Sequence, residues 1–154
     1  MVCIFQIFAA IFCYNFASMK NLEHIGIAVE NLEESEKLFA KLLGTPSYKR
    51  ETVESEGVIT SFFKVGNVKI ELLAATHSDS PIAKFIEKKG PGIHHLAFEV
   101  DNIDAALEQA KLNEFQLIHS EPKAGADKKR IAFLHPKSTN GVLTELCQEI
   151  TSEE

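Results

Sequence analysis

Apolar and polar residues alternate from His24 to Val29, and the same order returns from His95 to Val100. Laid over one another, His24-Ile25-Gly26-Ile27-Ala28-Val29-Glu30-Asn31-Leu32-Glu33 and His95-Leu96-Ala97-Phe98-Glu99-Val100-Asp101-Asn102-Ile103-Asp104 keep their character at every position except Ala28 against Glu99. Each copy reads as a strand, because side chains in extended backbone point alternately to opposite faces. Ile25, Ile27 and Val29, like Leu96, Phe98 and Val100, form the core face. The other face carries a histidine followed by a very small residue, His24 then Gly26 and His95 then Ala97, which leaves room in front of each imidazole.

A helix follows each strand. Asn31 caps the first, with Glu34 three residues on. Leu38, Phe39, Leu42 and Leu43 recur at helical spacing until Gly44 stops it. In the second copy Asn102 leads Ile103, Ala106, Leu107 and Ala110. The pattern then turns to short strands, among them a hairpin of 61–65 and 68–74 joined by Gly66-Asn67. Val68-Lys69-Ile70-Glu71-Leu72 and Val142-Leu143-Thr144-Glu145-Leu146 repeat one another as Val-x-x-Glu-Leu. The chain therefore reads as an α+β fold of two tandem βαβββ modules, residues 19–75 and 92–150, forming one domain over 19–150. Residues 76–92 are expected to be a polar linker, and 121–129 a polar loop.

The repeat gives each module a histidine at its start and a glutamate near its end. A pseudo-twofold axis would gather His24, Glu71, His95 and Glu145 into a mixed nitrogen and oxygen set suited to one divalent ion such as Co, Ni, Mn or Zn. Taken singly, a strand histidine is more often structural, and a strand glutamate more often solvated. Four such residues in register, with both glutamates inside apolar strands, point to ligands. His94, next to His95 on a strand, is expected to point to the opposite face, as a structural residue or one that supports a ligand from behind. His77, His119 and His135 read as solvated, and Cys147 as a buried, inert thiol.

The remaining composition narrows the partners. With a formal net charge of -6 the average surface repels nucleic acid. Lys123, Lys128, Lys129, Arg130 and Lys137 nonetheless form a basic cluster able to hold a phosphorylated ligand. Three cysteines without framework spacing suit a reducing compartment. Residues 1–18 are uncharged and largely apolar, but they lack the basic flank of a signal peptide, and Gln6 and Asn15 interrupt the apolar run. They read as an extension outside the fold, preceding Met19. The expectation is a cytoplasmic protein whose folded domain has no membrane partner.

At these residues the sequence resembles the vicinal-oxygen-chelate (glyoxalase/bleomycin-resistance) superfamily. Within it, the sequence is similar to the methylmalonyl-CoA epimerase family. The finer likeness lies in Leu22-Glu23-His24-Ile25-Gly26-Ile27-Ala28-Val29, in Asp79-Ser80-Pro81-Ile82-Ala83-Lys84-Phe85, in Gly92-Ile93-His94-His95, and in His135-Pro136-Lys137-Ser138 followed by Gly141-Val142-Leu143. The resemblance implies paired modules around one metal, most typically Co2+, with His24, Glu71, His95 and Glu145 on the ligand positions. It implies an acyl-CoA substrate epimerised at C2 by proton abstraction through a metal-stabilised enolate, in metabolism between propionyl-CoA and succinyl-CoA. Glu145 would be the base, and Lys137 and Ser138 would touch the substrate. A second carboxylate of the family falls at Thr60 here, with Glu54 and Glu56 nearby, and Glu71 is a further candidate. The family often dimerises, so a homodimer is open to this chain. Two other functions share the fold: a lyase acting on glutathione hemithioacetals, and a non-catalytic small-molecule-binding module.

Overall fold

The computed structural model describes residues 19–150. Each module runs strand, helix, three strands. In the first these are β1 (Asn21–Ala28), α1 (Leu32–Leu43), β2 (Lys49–Val53), β3 (Val58–Val65) and β4 (Val68–Ala75). Helix α2 (Pro81–Lys89) connects to the second, formed by β5 (Gly92–Glu99), α3 (Ile103–Leu112), β6 (Lys123–Ala124), β7 (Lys129–Leu134) and β8 (Thr144–Glu149). The local signals act as the sequence implies. The Asn31 side chain accepts from Glu34 N–H at 3.1 Å, the Asn102 side chain from Ala105 N–H at 2.9 Å, and Gly44 ends α1 at φ 68°.

All eight strands form one sheet in the order β2-β3-β4-β1-β5-β8-β7-β6. The order is symmetric about the antiparallel β1–β5 pair, with β4 parallel to β1 on one side and β8 parallel to β5 on the other. Although the two ends of the sheet are last in that order, they meet through ion pairs. Lys123 on β6 reaches Glu56 at 2.6 Å, and Asp127, between β6 and β7, reaches Lys49 on β2 at 3.0 Å. The sheet is therefore curled, and the space it encloses is the candidate site.

Alternation along the strands separates two environments. On the outer face, Val29, Leu32, Phe63, Leu72 and Ala74 pack with Phe39 and Leu43 of α1. Val100, Ile103, Ala106, Leu107, Ala132, Leu134 and Leu146 form the matching core around α3. Leu38 and Leu42, expected within the apolar stripe of α1, stand 63% and 72% exposed, so the buried stripe is narrower than the helical spacing suggests. The expected polar linker is corrected too, since α2 occupies most of it. Ser80 caps α2 by accepting from Ala83 N–H, and Pro81 sits in its first turn, where no N–H is needed. Ile82, Phe85 and Ile86 then pack against Ala28, Val58 and Leu73 on the inner face. Their i, i+3, i+4 spacing was the available signal, masked by the charged residues around it.

Replacing fully buried Phe63 with Ala is expected to cost about 3–5 kcal/mol. Leu42→Ala, on the same module but exposed, should stay within about 0.5 kcal/mol. Urea unfolding of both variants checks the assignment of the α1 stripe.

Candidate metal centre

Pairing across the middle of the sheet explains why each histidine is followed by a small residue. His24 lies opposite Ala97, and His95 lies opposite Gly26. The small residue of one module thus faces the imidazole of the other. The parallel pairings add the carboxylates, with Glu71 beside Gly26 and Glu145 beside Ala97. Two rows result, Glu71–Gly26–His95 and His24–Ala97–Glu145, related by the pseudo-twofold axis. Gly26 is required by space. A Cβ there would stand 2.2 Å from Cε1 of His95.

All four side chains converge, each with 4–6% of its surface exposed. His24 Nε2 is 2.9 Å from His95 Nε2, 3.2 Å from Glu71 Oε2 and 3.9 Å from Glu145 Oε1. His95 Nε2 is 3.7 Å from Glu71 Oε2 and 3.5 Å from Glu145 Oε2. Bonds of about 2.1 Å from a central ion would place neighbouring donor atoms about 3 Å apart, so these spacings fit one ion. His24, His95 and Glu145 offer one donor atom each, all within 4.8 Å of one another.

Electrostatics points the same way. Burial alone would lower the pKa of His24, but Glu23, Glu71 and Glu145 outweigh it and raise it to about 10. Burial, and then the charges of His24 and His94, push His95 well down. Burial raises Glu145 to about 8, with Glu71 and Glu23 adding to the rise against the pull of His24. Three acidic side chains, Glu23, Glu71 and Glu145, thus crowd around His24. A divalent ion would relieve that crowding with the donor atoms already in place.

Two residues missed by the alternation argument join the site through β-bulges. In the β1–β5 ladder, Glu23 is the extra residue between Leu22 and His24, and His94 the extra residue opposite the Gly26–Ile27 step. Each bulge breaks the strict inward and outward alternation. His94 accordingly does not face away, as expected, but lines the same cavity, with its Nδ1 3.0 Å from His95 Nδ1 and its ring against Phe85. Burial lowers its pKa to about 4. Glu23 sits at the equivalent place in the first module, with Oε2 2.5 Å from His24 Nδ1. His24 and two cationic partners, Lys69 and Lys129, outweigh its burial and hold its pKa near 2.

The cavity has a volume of about 270 Å³ and continues from the four donors past Leu73, Ile82, Phe133 and Leu143 to a rim with Glu56, His119 and Lys123. His119 was expected in solvent. It instead stands half-buried on this rim with its Nδ1 shielded and lacking a hydrogen-bond partner. Thr60 is buried and donates to the Glu51 carbonyl at 3.4 Å, so Glu56 is the carboxylate of that region that reaches the cavity. Lys137 and Ser138 lie in a turn of 3-10 helix (Pro136–Ser138) outside the lining residues. Ser138 Oγ accepts from Gln116 N–H at 3.0 Å, and Lys137 is exposed.

The basic cluster is divided in space. Lys123 and buried Lys129 turn to the cavity side, each paired with an acid, while Arg130 binds Asp104 on the outside. Cys147 is fully buried, and burial pushes its thiol pKa up, as suits an inert thiol. Among the described residues no helix is long and apolar enough to cross a membrane, and residues 1–18 lie outside them.

Comparison with known proteins follows this geometry. The family described as Glyoxalase/Bleomycin resistance protein/Dioxygenase superfamily matches residues 23–133. The mitochondrial methylmalonyl-CoA epimerase of Homo sapiens is 40% identical over 132 residues, 85% of this chain and 75% of that protein. An ethylmalonyl-CoA/methylmalonyl-CoA epimerase of Cereibacter sphaeroides is 41% identical, over 82% of this chain and 96% of its own. A Streptomyces coelicolor methylmalonyl-CoA epimerase variant, solved in complex with 2-nitronate-propionyl-CoA, is 32% identical with a TM-score of 0.84, over 89% of this chain and 99% of that one.

Gly26→Ala should push His95 out of the donor set and weaken Co2+ or Zn2+ binding about tenfold or more by calorimetry. A second expectation concerns the metal-free protein. The folded pKa of Glu145 lies above the unfolded value of 4.5, so its ionisation opposes folding progressively as pH rises from 4.5 through about 8. Metal-free Glu145→Gln should therefore melt higher than the parent at pH 8, and the difference should vanish near pH 4. Saturating divalent metal should reverse the order.

Proposed function

We propose that the chain, which belongs to the glyoxalase/bleomycin resistance protein/dioxygenase superfamily, interconverts the two C2 epimers of methylmalonyl-CoA. The carrying observation is a buried carboxylate, Glu145, that lines the cavity and lies within 3.5 Å of a ligand-type imidazole, His95. The epimerase names of relatives about 40% identical support the same reading.

A divalent ion, with Co2+ the first to test, fits His24, His95, Glu145 and Glu71, and when bound it supplies a Lewis acid for charge developing on the thioester oxygen. The protein supplies the rest. Glu145, buried at the end of the cavity beside His95, takes the C2 proton and can return it. The planar enolate so formed has lost its configuration, and epimerisation requires a proton delivered to its other face. Glu56 serves this purpose in our reading, because it lines the cavity and is held at 2.6 Å by Lys123. The cavity volume of about 270 Å³ suits the acyl group alone. The much larger coenzyme A portion stays outside, where exposed Lys137 and the neighbouring Ser138 are available to it.

The test follows C2 deuterium incorporation into methylmalonyl-CoA in deuterated water, with and without added Co2+. The full chain should catalyse metal-dependent exchange and epimerisation, and Glu145→Ala should abolish both. Glu56→Gln should slow epimerisation about 100-fold or more, while exchange of one epimer without inversion survives. Absence of exchange with every divalent metal would sink the epimerase reading and make glutathione hemithioacetals the next substrates.

A further inference from the structure

The histidines of the donor set differ in what stands behind them. An imidazole that binds an ion through Nε2 must carry its proton on Nδ1, and the group accepting from Nδ1 fixes both the tautomer and the ring's orientation. Behind His95 that group is another imidazole, His94. Behind His24 it is the carboxylate of Glu23, at 2.5 Å.

Glu23 is built for this task. The bulge in β1 turns its side chain to the inner face next to His24, where it is 8% exposed. Its second oxygen, Oε1, is 2.5 Å from Lys69 Nζ and 3.4 Å from Lys129 Nζ, and Lys129 itself is 3% exposed. These ammonium groups compensate the buried charge and keep the carboxylate from turning away from His24. Lys69 in turn binds Asp127 at 2.6 Å, on the segment where the curled sheet closes on itself. Glu23 is bonded at the ring edge remote from Nε2, so its contact to His24 is one of orientation and not of ligation.

We propose that Glu23 is the positioning residue of this centre: its carboxylate locks His24 with Nδ1 as donor, presenting Nε2 to Glu71, His95 and Glu145. The proposal rests on reading the four residues as a cation site, and it makes the two modules functionally unequal, with one ligand imidazole backed by a carboxylate and the other by a second imidazole. The anion should make His24 the more basic ligand.

Two measurements on the full chain separate the proposal from the metal reading. The first is nitrogen-15 NMR of histidine-labelled, metal-free protein. The parent should show a deshielded, slowly exchanging His24 Nδ1–H, lost in Glu23→Gln. The second is Co2+ or Zn2+ affinity by calorimetry, with the visible spectrum of the Co2+ form. Glu23→Gln should bind 10- to 100-fold more weakly with an altered spectrum, and Glu23→Asp, which keeps the charge, should recover part of the loss. If Glu23→Gln fails to fold by circular dichroism, Glu23→Asp decides, because its shorter carboxylate must shift both the His24 resonance and the affinity. An unchanged His24 resonance, or parental affinity in the folded variant, overturns the proposal. Failure of the parent to bind any divalent ion overturns the metal reading instead, and the NMR result alone then judges whether Glu23 holds His24.

Discussion

The antiparallel pairing of β1 with β5 is the constraint on which the site depends. Two like modules meet along equivalent strands, and the register sets His24 against Ala97 and His95 against Gly26. Every donor then follows from sheet geometry, because the parallel neighbours β4 and β8 bring Glu71 and Glu145 alongside those same small residues. A slip of one residue would turn both imidazoles to the helix-covered face and the apolar set inward. The cores around α1 and α3 oppose that slip, since Leu72 and Leu146, each next to a donor glutamate, are locked beneath the helices. Hydrophobic burial on the outer face is thus what aims the polar residues on the inner one.

That arrangement concentrates charge where water is scarce. Two carboxylates, two imidazoles and a third carboxylate behind one of them are all more than nine-tenths buried. Such a set is unfavourable for stability when left uncompensated, and it persists in a fold because it serves a purpose. Compensation is distributed. Lys69 and Lys129 serve Glu23, while His24 stands among Glu23, Glu71 and Glu145. The same ion-pair system closes the curled sheet, whose ends meet through Lys123–Glu56, through Asp127 with Lys49 and Lys69, and through the Asp127 N–H donating to Glu51. The cavity wall and the ion pairs behind His24 therefore share residues.

The duplicated pattern from His24 and His95 was enough to read both βαβββ modules, their helix caps and the Gly66-Asn67 hairpin, because these are set by local periodicity and local hydrogen bonding. The convergence of His24, Glu71, His95 and Glu145 was legible for the same reason, all four being fixed positions in a repeat. Helix α2 was not, because a nine-residue helix opened by proline spans too few turns for Ile82, Phe85 and Ile86 to stand out as a period among its lysines. His94 was assigned to the wrong face by a rule that holds for regular strands and fails at a bulge, and a bulge is a property of two paired strands rather than of either one.

What the sequence determined by itself was the content of each module and the four residues of ligand chemistry at equivalent positions, since both are written in residue types at short spacing. What only the tertiary structure decided was which residues surround those four. Glu23 behind His24, His94 behind His95, and Glu56, His119 and Lys123 on the rim come together through two bulges and through the closing of the curled sheet. These contacts join residues far apart in the chain, or depend on the partner strand's register. Periodicity along one strand carries no record of either.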